Sequence, residues 1–273
     1  MHRVIILAIA VNLSISSFSF AKEQEQTVDG FSLVQYEDGG AKKWELNGKS
    51  AEIEDGKVKI DKVSALAFGE EATLKLKAQK GSFDRENSTV HLENDVVLKT
   101  TDGTMLTTDS LDWDAERRGV FTEEDVTIKK ADFQVTGSGA EVDLEQKRAE
   151  VKKDVTANIT SMAPDYLQAT DGKQKTTITC DGPLEMNYKK NKATFLNNVE
   201  VKDREGNIFA DRIDLYFNPT TRRIRCVVAR GNVRIVNGEN ITYSEKAIYL
   251  VNEGRVILPK RPKLVIQNES KRD

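Results

Sequence analysis

Histidine is nearly absent from this sequence: there are two in 273 residues, and with His2 in the opening stretch only His91 lies in the body of the chain. A Ser-His-Asp site needs a general base beside an activated nucleophile, and no G-x-S-x-G turn accompanies His91. His91 falls between Val90 and Leu92 and so points away from their shared face. One histidine with two cysteines cannot supply a zinc site. Glycines such as Gly103, Gly137, Gly139, Gly206 and Gly238 are turn residues and form no phosphate cradle. The expectation is a protein without catalysis, cofactor or metal. An excess of positive charge is missing too. Lys and Arg number 41 against 44 Asp and Glu, mixed along the chain for a net charge of -3, which leaves no footprint for nucleic acid. Long stripes of 3.6-residue period are absent, so a helical fold is not expected.

What is present begins with a leader. Met1-His2-Arg3 gives a positive start, Val4–Val11 is an apolar run, and Ser19-Phe20-Ala21 sets small residues before Lys22. This is the pattern of a secretory signal peptide over residues 1–21, cut between Ala21 and Lys22. The competing reading is a short uncleaved anchor, although the run falls short of the ~20 residues that span a bilayer.

After the leader the sequence repeats. An apolar residue is followed two positions later by another at Val63/Ala65, Val96/Leu98, Val126/Ile128, Val155/Ala157, Val199/Val201, Val233/Ile235 and Leu264/Ile266. First members are 33, 30, 29, 44, 34 and 31 positions apart. A second beat precedes each: Ala51-Glu52-Ile53, Phe83-Asp84, Leu111-Asp112-Trp113, Val142-Asp143-Leu144, Leu184-Glu185-Met186, Ile213-Asp214-Leu215 and Ile248-Tyr249-Leu250. Apolar residues at i and i+2 put one face of a strand in a core and the other in water. Charged turns such as Ala115–Arg118 and Glu145–Arg148 separate the beats. The pattern predicts an all-β chain of about seven repeating antiparallel units, each of three or four short strands, as a solenoid or extended sandwich. Apolar strands of about 4–6 residues are too short for an outer-membrane barrel. The carboxylates Glu52, Asp84, Asp112, Asp143, Glu185 and Asp214 read as a solvated face, because no short segment gathers the several oxygens a calcium loop needs.

The long interval of 44 contains SMAPDYLQATDGKQK, residues 161–175, a polar linker or loop. It divides the mature chain into 22–160 and 176–273. Cys180 and Cys226 each continue an apolar row, Ile178/Cys180 and Ile224/Cys226; they read as small buried hydrophobes or, in an oxidising compartment, as a disulfide.

Residues 30–53 (GFSLVQYEDGGAKKWELNGKSAEI) and 95–144 (DVVLKTTDGTMLTTDSLDWDAERRGVFTEEDVTIKKADFQVTGSGAEVDL) resemble the LptC-type periplasmic protein of lipopolysaccharide export. Residues 197–224 (NNVEVKDREGNIFADRIDLYFNPTTRRI) and 229–250 (ARGNVRIVNGENITYSEKAIYL) resemble the LptA/OstA-type bridge protein. The resemblance implies an elongated twisted β-jellyroll, open along one seam, whose interior holds lipid acyl chains. It implies a periplasmic, non-enzymatic role in passing lipopolysaccharide from inner to outer membrane. The implied partners are an inner-membrane export transporter and an outer-membrane lipopolysaccharide assembly protein, joined through β-strand augmentation. Exposed edge strands would also permit head-to-tail self-association. Trp44 and Leu46 in the first strand, and Leu264 and Ile266 in the last, are the expected edges. The inward residues Leu98, Leu111, Trp113, Ile128, Leu144, Met186, Val201, Ile213, Leu215 and Ile235 are the candidates for lipid contact; strand period alone leaves ordinary core packing as the other reading. A secreted structural or adhesive β-solenoid would share the repeat but keep a closed, dry core.

Overall fold

Most of the apolar beats lie on one limb of a long bent strand. The computed structural model describes residues 26–54, 57–69, 73–84, 87–114, 119–131, 133–143, 145–160, 175–204, 206–259 and 261–265. The leader, Leu144, Ile266 and most of the 161–175 segment lie outside them. Seventeen strands form one sheet. The first nine are β1 (Gln26–Tyr36), β2 (Lys42–Glu54), β3 (Lys57–Phe68), β4 (Thr73–Asp84), β5 (Thr89–Thr100), β6 (Met105–Asp114), β7 (Gly119–Lys130), β8 (Phe133–Asp143) and β9 (Arg148–Ile159). The rest are β10 (Thr176–Cys180), β11 (Leu184–Asn187), β12 (Lys192–Lys202), β13 (Asn207–Phe217), β14 (Ile224–Asn237), β15 (Asn240–Leu250), β16 (Arg255–Ile257) and β17 (Lys263–Val265). Successive strands pair antiparallel in chain order. Among the described residues the two edges are not paired with each other, so the sheet is open.

The strands are longer than the short ones expected, because a mid-strand bulge interrupts the alternation and makes one strand look like two. Register shifts fall at Glu93/Val96, Thr122/Asp125, Leu196/Val199 and Arg230/Val233, just before a repeated valine or two residues or fewer from it. Asn94, Asp95, Asp154, Asn197, Asn198 and Asn232 take positive φ there, a region that asparagine and aspartate tolerate best. Gly231, with φ of 73°, would have a β-carbon driven into Asp211. Bulges bend a strand and sharpen its twist. Repeated strand after strand, they crease the sheet along its length and fold it into two facing walls. Each interval of the repeat is thus one pair of creased strands, four straight limbs in all.

Side-chain size follows the wedge between the walls. The residues nearest the crease are small and fully buried: Val63, Val96, Val126, Val155, Val199 and Val233. At Gly81 a β-carbon would sit 2.8 Å from a Val63 methyl and 3.0 Å from a Leu92 methyl, so the crease has no room for one. Larger side chains lie farther out.

The sheet does not stop at the linker. β9 pairs with β10 through Val155–Ile159 and with β11 through Arg148–Val151, and both short strands pair onward with β12. β10 and β11 therefore occupy a single strand position, interrupted at Asp181–Pro183. Val126, Val135, Val151, Val155 and Ala157 from the first half share one buried cluster with Ile178, Phe195, Ile213 and Leu215 from the second. A further cluster runs from Trp44 to Val120.

Candidate functional site

Cross-strand register assembles the repeated residues into two apolar rows that run across the strands. On one wall, direct partners link Leu46, Ala65, Leu76, Leu98, Leu106, Ile128, Val135, Ala157, Ile178, Val201, Ile208 and Ile235. On the facing wall they link Ile53, Val58, Phe83, Val90, Trp113, Val120, Val142, Ala149, Met186, Ala193, Leu215, Val227 and Tyr249. Neither row is broken by a charged or polar residue. Each crosses from the first half to the second without a gap, at Ala157–Ile178–Val201 and at Ala149–Met186–Ala193.

The walls touch. Trp44 stands on the first wall and meets Phe83 and Trp113 on the second, with ring centroids 6.2 and 5.7 Å apart, both edge-on. The Trp44 indole N–H donates to Gln35 Oε1. Toward the open seam, away from the crease, lie half-buried apolar side chains: Ala67, Ile128, Phe133, Ile208 and Ile235 along one lip, and Ile53, Val142, Met186, Phe217 and Tyr249 along the other. They pack against the core on one side and face solvent on the other. Apolar surface arranged this way is a track, able to cover a chain of methylenes laid along it.

The candidate contacts therefore fall at three depths. Leu111 and Ile213 lie deep, one inward position closer to the crease than Trp113 and Leu215. Leu98, Trp113, Val201 and Leu215 belong to the rows and are buried. Ile128, Met186 and Ile235 belong to the rows and are half-exposed at the lips. Leu144 is outside the described residues.

Two of these expectations are corrected. Trp44 and Leu46 are not at an edge: β2 is covered by β1 on one side and β3 on the other, so both residues are buried and the edge passes to β1. Leu264 does lie on the final strand, and Ile266 is outside the described residues. Cys180 and Cys226 are free thiols. A bulge at Arg225, where the β13 partner shifts from Ile224 to Cys226, turns Cys226 to the outer face while Cys180 stays inside. A disulfide cannot join opposite faces of a sheet. Burial pushes the Cys180 thiol up.

Asp214 is not solvated like the other acids of its row. It lies on the outer face with its side chain 1% exposed, beneath three cations. Thr194 Oγ1 donates at 2.9 Å, Arg212 Nε at 2.9 Å and Arg230 Nε at 3.3 Å, and Lys192 Nζ is 3.0 Å away. Burial works against the carboxylate, but the bonds from Lys192, Thr194 and Arg212 outweigh it and hold Asp214 below the usual range. Nothing in the alternation marked this residue; the one signal was the cluster Lys192, Arg212 and Arg230 in register around it. His91, also on the outer face, places Nδ1 2.7 Å from Asp112 and Nε2 3.1 Å from Glu93. Partial burial lowers its affinity for a proton, and the two carboxylates more than compensate, so its pKa is raised. Among the described residues no group of His, Cys, Asp and Glu could hold a metal ion.

Two family models match the chain. The family model described as "Lipopolysaccharide-assembly, LptC-related" matches residues 5–160, and that for "LptA/(LptD N-terminal domain) LPS transport protein" matches residues 177–272. Among solved structures, LptH, the LptA homologous periplasmic component of the conserved lipopolysaccharide transport device from Pseudomonas aeruginosa, aligns over 61% of this chain and 96% of its own. The identity is 14% and the TM-score 0.34. No curated protein matches.

Proposed function

The chain belongs to the LptC-related lipopolysaccharide-assembly family, and on that premise we propose that its two creased halves act as one conduit for acyl chains. It is a non-enzymatic component of the lipopolysaccharide transport bridge, of a family that is periplasmic or anchored at the inner membrane. The observation that carries the conduit is the pair of unbroken apolar rows, continuous through the junction at β9, β10 and β11. Each methylene kept out of water is worth about 0.8 kcal/mol, so a lipid with several acyl chains needs cover along its whole route. In this reading Ile128, Met186 and Ile235 at the lips meet the acyl chains first. Leu98, Leu111, Trp113, Val201, Ile213 and Leu215 become contacts as the walls part. Sugars and phosphates stay outside the seam, no bond is made or broken on the track, and the driving energy comes from elsewhere.

The leader exports the chain to the periplasm in this proposal. The N-terminal edge takes a strand from the inner-membrane transporter, and the C-terminal edge takes one from the outer-membrane assembly protein. The same edges allow copies to stack head to tail.

Photo-crosslinking in cells tests the conduit. A crosslinkable residue at Ile128, Met186 or Ile235 should yield lipopolysaccharide adducts, and one at Asp112 or Arg234, on the outer face, should not. A folded, exported protein with no lipid adduct at any lip position would leave the structural solenoid as the better reading.

A further inference from the structure

The two ends of the sheet are unlike. β1 is an edge of eleven residues, without proline, lysine or arginine. Its inward residues Phe31 and Leu33 are half-buried against the core, and Val28 is 41% exposed. Such an edge invites another strand.

The other end carries the devices that blunt an edge. β15 pairs with β14 along its whole length, Asn240–Leu250. On its outer side it is covered only at Ile248–Leu250, by β16, and at Ile241–Tyr243, by β17, each a strand of three residues. Between these two short strands stand Pro259 and Pro262, which have no N–H to give a ladder, with Lys260 and Arg261 between them. The cover packs on the core through Leu258, while Val256 and Leu264, the central residues of β16 and β17, are 52% and 57% exposed. β15 itself has no proline and turns Ala247 and Tyr249 toward the core. A long competent strand thus lies beneath a short, broken, weakly packed one.

We propose that the segment from Arg255 to Val265 is a displaceable latch on β15, and that its occupant when displaced is β1 of a second copy. This rests on the end-to-end association proposed above and adds its regulation. While the latch is seated, β1 finds only three-residue edges on another copy, and the protein stays monomeric. Displacement exchanges two short ladders for one that runs the length of β15. The incoming strand, antiparallel to β15, then sets Leu33 at the level of Thr242 on the first wall and Val28 at the level of Ala247 on the second, so that both walls run on into the next molecule. The latch belongs to the low-stability end of the sheet, where local opening is expected.

Hydrogen exchange on the intact chain and sedimentation of three full-length proteins test this. β15 amides bonded to β16 or β17 should exchange roughly a hundredfold faster than β15 amides bonded to β14. Equal protection overturns the latch. A variant with Val256→Pro, Ile257→Pro, Lys263→Pro and Leu264→Pro removes ladder N–H groups from both short strands whichever way they face. It should associate at least about tenfold more tightly than wild type, and adding Leu33→Lys, an inward charge on β1, should reverse this. Equal association of wild type and the proline variant overturns the latch but leaves end-to-end stacking in place. Monomers throughout overturn both. Association that Leu33→Lys leaves unchanged overturns β1 as the occupant.

Discussion

Trp44 and Trp113 meet edge-on, ring centroids 5.7 Å apart at 80°, although they stand on opposite walls and β2 and β6 are separated in the sheet by three other strands. Their contact exists only because the sheet is creased. In a flat sheet the spacing of the strands alone would hold the two rings at least about 19 Å apart, at about 4.8 Å per strand. Their contact, together with Phe83, closes the interior near the N-terminal end. Any lipid passing that point must displace aromatic packing.

A double-mutant cycle measures that closure. Trp113→Ala should cost about 3–5 kcal/mol in denaturant unfolding, since the side chain is buried. Trp44→Ala and the double variant should reveal a coupling of about 0.5–1.5 kcal/mol. Strict additivity would mean that the walls are not held by this pair.

Depth on the wall should separate transport from folding. Ile128→Asp and Ile235→Asp, at half-exposed lip positions, should weaken lipopolysaccharide transport in cells while the unfolding midpoint moves little. Ile213→Asp places an unpaired charge among residues with no exposure and should prevent folding. If the lip variants transport normally with full stability, acyl chains do not touch those side chains.

The Asp214 cluster contributes stability with a definite sign in pH. Its folded pKa lies below the ordinary value of 3.8, so its contribution is present above that value and is lost as pH falls through the folded pKa. Asp214→Asn should destabilise the neutral protein by on the order of 2–3 kcal/mol, because three cations lose their common carboxylate. The variant should also show a smaller loss of stability on acidification, as read by urea unfolding from neutral to acid pH.

His91 acts in the opposite sense. Its raised folded pKa gives stability that is fully present below the ordinary value of 6.5 and is lost as pH rises through the folded value. The ring is 40% exposed, so solvent screens the effect and it is small. His91→Gln should abolish whatever slope in melting temperature the protein shows between about pH 6 and 8. A slope that persists in the variant belongs to another group.

The sequence by itself determined the strand content, the inward face of each strand and the two-part family resemblance. Alternation with period two is a local property, and Val96/Leu98 or Ile213/Leu215 declare their face without reference to the rest of the chain. The valine that recurs at the first position, with asparagine or aspartate before it in most copies, was written there as well, although its meaning as a crease was not readable from spacing. Tertiary structure decided everything that depends on register between strands. It put β1 outside Trp44 and Leu46. It turned Cys226 away from Cys180 through a single bulged residue. It buried Asp214 beneath cations that come from three strands. It also carried both apolar rows unbroken across residues 161–175, the stretch where composition suggested a division. Register is a relation between residues far apart in the chain, fixed by which bulge faces which partner, and no local pattern contains it.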